Sequence, residues 1–170
     1  MTESEVVALL ASPGKLVLRT FDWSKQEGAR DTPWLIFDSS VQVGPDIPYA
    51  LRFIAKYKAS HEIMKGSARV MLPEKIDVGL ICGKHRIAAY DTAPGQRHTN
   101  DVGVGRPFYG QTILATTHRH VWVGEYGYVE PVDPPMLDVV QLIQTFAEEC
   151  NLVINGSVRH PLAGQQGSLL

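Results

Sequence analysis

The stretch THRHVWVGEYGYVEP, residues 117–131, gathers two histidines, an arginine, a tryptophan, two glutamates and two tyrosines within fifteen positions. His118 and His120 stand two apart, so on an extended strand both point the same way. Paired imidazoles on one face suit three kinds of work. As ligands they could hold a divalent ion such as zinc, with His98 completing the set and Asp91, Asp101 or Glu125 as further donors. As acid and base they could trade a proton between the attacking and leaving oxygens of a phosphodiester, with His98 assisting and Arg97 or Arg119 holding the phosphate. As packing or contact residues they could belong to a protein-binding surface whose anchors are Phe108, Trp122, Tyr126 and Tyr128.

A strand through residues 111–124 must carry these groups. Its alternation places Thr112, Leu114, Thr116, His118, His120 and Trp122 on one face. Ile113, Ala115, Thr117, Arg119, Val121 and Val123 fall on the other. The second set is the more apolar and is expected to face the core, with Arg119 needing a partner or an edge position. The histidines are then expected on the open side. Immediately before them, residues 93–110 (APGQRHTNDVGVGRPFYG) carry four glycines and two prolines and read as one long loop, a common place for function. His61, His85 and His160 are isolated and read as structural or surface residues.

Several familiar centres are absent. Neither His118 nor His120 is followed two positions on by a hydroxyl residue, so the paired His-x-Thr or His-x-Ser strands of the two-histidine phosphoesterases are missing. GVGRPFYG lacks the Gly-Lys-Ser/Thr ending of a P-loop, and there is no GxSxG, HExxH or CxxC. Lys56, Lys58, Lys65, Arg69 and Lys84 offer a modest basic strip.

The remaining elements supply a scaffold. ESEVVALLA (3–11) reads as a short helix with Thr2 as N-cap, stopped at Pro13-Gly14. KLVLRTFDW (15–23) and PWLIFDSSVQV (33–43) read as strands. In YALRFIAKYKAS, Tyr49, Leu51, Phe53, Ala55 and Tyr57 share one face, opposite Arg52, Lys56 and Lys58. EKIDVGLICG and KHRIAAYDT form a hairpin about Gly83-Lys84. DPPMLDVVQLIQTFAEECN reads as a helix capped by Asp133, with Val139, Leu142, Ile143, Phe146 and Cys150 at helical spacing and Asn151 in the left-handed terminal position.

These elements describe one α+β domain over 1–152: an antiparallel sheet of about five to seven strands with a short N-terminal helix and a C-terminal helix packed on it. Residues 153–170 read as a loosely ordered tail. With 170 residues the chain can bury a core without staples, and its two cysteines, Cys82 and Cys150, read as reduced core thiols. The formal charge of −2 lacks the basic excess of a duplex-binding protein, leaving nucleotide or RNA to a local patch. No apolar run is long enough to span a membrane, and the acidic start lacks a secretory leader, so a cytoplasmic location is expected. The function expected first is protein binding of the inhibitor or immunity type. The alternative is a nuclease or nucleotide phosphodiesterase built on His98, His118 and His120, metal-free or zinc-dependent. A homo-oligomer is left open.

Overall fold

In the computed structural model, residues 1–26, 32–45 and 50–163 are described. Helix α1 (Glu3–Ala11) begins where the sequence places it: Thr2 accepts from the Glu5 N–H while the Glu5 carboxylate accepts from the Thr2 N–H, a complete capping box. Only Val6 of this helix is buried. Its C-terminal end is closed by Lys15, which is wholly buried and donates its ammonium to the Leu10 carbonyl at 2.8 Å and to that of Ser12. Burial pushes the Lys15 amine below its ordinary value, and the nearby Cys150 opposes that shift.

Among the described residues the main sheet has nine strands rather than five to seven. In chain order they are β1 (Lys15–Val17), β2 (Ser24–Lys25), β3 (Leu35–Val43), β4 (Leu51–Lys58), β7 (Lys75–Cys82), β8 (His85–Thr92), β11 (Thr117–Val121), β12 (Tyr128–Val132) and β13 (Leu152–Val153). Across the sheet the order is β12-β11-β8-β7-β4-β3-β1-β13, with β2 beside β3. All pairings are antiparallel except β1 with β13. Two small hairpins complete the strand set: β5 (His61–Lys65) with β6 (Ala68–Leu72), and β9 (His98–Thr99) with β10 (Thr112–Ile113).

The alternation expected in β4 holds: Leu51, Phe53, Ala55 and Tyr57 are buried toward the helices, and Arg52, Lys56 and Lys58 take the other face. Tyr49 lies outside the described residues. The tight turn at Gly83-Lys84 joins β7 to β8 as expected. Helix α2 (Val139–Glu149) starts six residues after Asp133, and its cap is Asp138, whose carboxylate accepts from the Gln141 N–H at 2.8 Å. Asp133 and Pro134 each precede a proline, which disfavours helical backbone there. Thr117 then ties the approach to the sheet by donating to the Met136 carbonyl. Val139, Leu142, Ile143, Phe146 and Cys150 are buried at the expected spacing, each large aliphatic or aromatic side chain contributing roughly 1.5–3 kcal/mol. Asn151 ends the helix at a φ of 51°.

Residues beyond 152 are laid on the body as far as 163. Phe21 donates its N–H to the Asn155 carbonyl at 2.7 Å, and the Trp23 indole donates to that of Arg159 at 2.8 Å. Among the described residues no helix is long and apolar enough to cross a membrane.

Candidate functional site

The strand expected over 111–124 is broken. β10 and β11 are separate, and between them Thr116 turns its carbonyl to the Ala93 N–H at 2.8 Å. Alternation therefore applies only within β11. There Arg119 lies on the helix side, as the pattern required, and meets Glu149 of α2 at 3.4 Å and Glu130 of β12 at 3.6 Å. His118 and His120 take the opposite face. That face is not open at this point: they are only 3% and 8% exposed. The 93–110 loop returns to the edge strand β12 and brings His98 against both rings, while Tyr126 stacks on His120.

Asn100 holds the loop down. It is fully buried, its amide donates to the carbonyls of Phe108 and Val129, and its oxygen accepts from the Val129 N–H at 2.8 Å. Tyr128 adds a second tie by accepting from the Phe108 N–H at 3.2 Å. Gly103, with a φ of 84°, lies so close to Tyr128 that a β-carbon would stand 2.8 Å from its ring. A side chain at residue 103 would lift the loop from the sheet.

Beneath the loop the register of β8 with β11 sets Asp91 directly opposite His118. The Asp91 carboxylate accepts from His118 Nδ1 at 3.3 Å and from His120 Nε2 at 2.8 Å. Burial alone would raise the Asp91 pKa. The His120 hydrogen bond, with the charges of His120, Arg86 and His118, outweighs it and holds the carboxyl below its usual value. An ionised carboxylate can only accept, so the bonded imidazole nitrogens carry the hydrogens. His118 Nε2 and His120 Nδ1 are left as buried nitrogens with no partner in the protein. His98 is fixed the same way, donating from Nε2 to the Gly127 carbonyl at 2.7 Å. Its ring centroid lies 6.3 Å from that of His118 and 6.1 Å from that of His120. Three imidazoles are thus each anchored through one nitrogen and grouped within one ligand's width.

Two residues not anticipated from sequence border this group. Asp77 of β7 is the register partner of Asp91; Asp91 accepts from the two histidines, and Asp77 pairs with Arg86 at 2.6 Å. Arg86 reaches Asp77 by crossing Gly79, whose missing side chain leaves room; a β-carbon there would stand 3.3 Å from Arg86 Nε. Arg86 also approaches the Tyr126 hydroxyl at 3.5 Å. A bulge in the register between Leu80 and Ile81 accompanies this placement. The sequence signal was a glycine two residues after Asp77 in an apolar strand, too common to stand out alone.

The other expected site residues scatter. Arg97 is exposed next to His98, while Arg119 is separated from the histidines by the thickness of the sheet. Of the four aromatic anchors, Trp122 and Tyr128 are buried and Phe108 is partly covered. Trp122 sits in the main core, its indole donating to the Met1 carbonyl, and so cannot present a contact surface in this fold. Tyr126 alone is half exposed, and its ring stacks on His120 at 5.8 Å with planes 8° apart. Among the described residues no group of three or more His, Cys, Asp or Glu side chains is arranged to hold a metal ion. The shared hydrogen bonding to Asp91 is what takes up one nitrogen of each β11 histidine. Comparison with family models, curated proteins and solved structures returns no match, so the reading of this site rests on the chain's own residues.

Proposed function

We propose that the histidine cluster is a metal-free acid–base centre acting on phosphodiesters, as in a nuclease or nucleotide phosphodiesterase. The observation that carries it is the single Asp91 carboxylate anchoring both β11 imidazoles while their other nitrogens, buried, have no partner in the protein. In this reading one imidazole takes the proton of an attacking hydroxyl or water and the other gives a proton to the leaving oxygen. Asp91 fixes the orientation of both rings. His98 assists. Arg97 supplies positive charge for the phosphoryl oxygens, and Tyr126 marks the exposed side of the cluster. Arg119, held by two glutamates on the far side of the sheet, is given no part. Binding is the first test. A phosphorothioate dinucleotide should shift the imidazole resonances of His98, His118 and His120 together in a two-dimensional NMR titration. Shifts confined to surface lysines would count against the centre.

Protein binding, of the inhibitor or immunity type, is the second reading, and the β5–β6 hairpin favours it. Ile63, Met64 and Met71 are exposed there, and its described hydrogen-bonded strand partners are only each other. Large exposed apolar groups on a protruding element suit a protein contact. Ile63→Asp with Met71→Asp should abolish partner capture while leaving phosphodiester chemistry intact.

A further inference from the structure

We propose that the cavity between α1, α2 and the sheet is a binding site for a compact uncharged hydrophobic molecule of about one aromatic ring. It lies on the helix side of the sheet, and of the histidine cluster only His120, in β11, is among its lining residues. The cavity has a volume of about 200 Å³, larger than the roughly 150 Å³ apolar cavities that accept benzene. Its walls include Val6 and Leu10 of α1, Ala88 and Val121 of the sheet, Trp122, and Phe146 of α2. Ala88 and Val121 point to the helix-covered face yet remain partly accessible, whereas Val78 and Leu80 on the same face are fully buried. The helices leave this part of the sheet uncovered from within.

The rim decides the chemical class. Its charged groups are Glu3, Arg106, Arg119 and Glu149, and each is already matched: Arg106 to Glu3, and Arg119 to Glu149 and Glu130. Tyr90 donates to both Glu149 oxygens at 2.8 Å. A charged ligand would have to break one of these pairs and leave a charge uncompensated, whereas a neutral ring would not. Helix α1 forms one wall. This helix contributes only Val6 to the buried core and is held by polar latches, the Glu3–Arg106 pair and the Trp122 indole on Met1.

The experiment is a thermal-shift and calorimetric titration of the full chain with indole, benzoate and benzylamine. Indole should raise Tm by about 3 °C at tenfold excess over its Kd. Benzoate and benzylamine should bind at least about tenfold more weakly. Ala88→Phe fills the cavity and should remove the indole response; should that variant fail to fold, Val121→Phe makes the same comparison. No response of the wild-type chain to indole overturns the proposal, as does an equal response in the filled variant. Equal binding of the charged probes overturns the assigned class.

Discussion

Asp91 is the residue on which the cluster turns. Because its folded pKa is depressed, the sign of its contribution is fixed: it stabilises the fold above its unfolded value and loses that effect as pH falls through the folded one. Acid unfolding should therefore draw on Asp91 below about pH 4. Asp91→Asn should flatten that acid limb in urea melts taken across pH; an unchanged limb would mean the carboxylate does not hold the histidines. At neutral pH the same variant should cost about 1–3 kcal/mol, since an amide serves two imidazole donors poorly. The histidine pair was legible from the sequence because a two-residue spacing survives any strand. Its partner was visible only as one of several nearby acids. Nothing local to Asp91 shows that it faces His118; the β8–β11 register does. Arg86 was less legible still, since its placement depends on an irregular register and on the bare backbone at Gly79.

At the scale of elements, local signals were read well and long-range ones poorly. The α1 cap, the β4 alternation and the Gly83-Lys84 turn depend on neighbours in sequence. The break between β10 and β11 depends on Ala93, and the burial of the histidines depends on a loop whose fold is set by one asparagine. Asn100→Ala removes three hydrogen bonds and strands the buried Val129 N–H and carbonyl. The expected cost is about 3 kcal/mol by chemical denaturation. Faster amide exchange should appear in 98–110, and His118 and His120 should react faster with diethylpyrocarbonate than in the wild type. Protection of both histidines in a folded Asn100→Ala protein would show that the loop is held by something else. The β5–β6 hairpin escaped the sequence reading because neither face is buried, so no hydrophobic alternation marks it.

Across the whole molecule, a nine-stranded sheet separates two environments. On one side the helices and core enclose both thiols; on the other a polar face carries the histidine cluster. Burial pushes the Cys150 thiol up to about 12, and that of Cys82 is raised by burial as well. Neither should react with Ellman's reagent in the native protein at mildly alkaline pH, and both should react in guanidinium. Prompt native reaction of either would place it at the surface instead. The extra strands were hard to foresee because β2 and β13 are two residues long and exist only through their partners β3 and β1. The central claim, that His118 and His120 work as acid and base on a phosphodiester, is a statement about turnover. Its most direct measurement is cleavage of a panel of RNA oligonucleotides and cyclic nucleotides by the folded wild-type chain and by the His118→Ala/His120→Ala double variant, with and without chelator. The wild type is expected to cleave at least one phosphodiester class regardless of chelator, with the rate lowered about 10³-fold in the double variant. No cleavage by the wild-type chain, or equal rates in the two proteins, would contradict it.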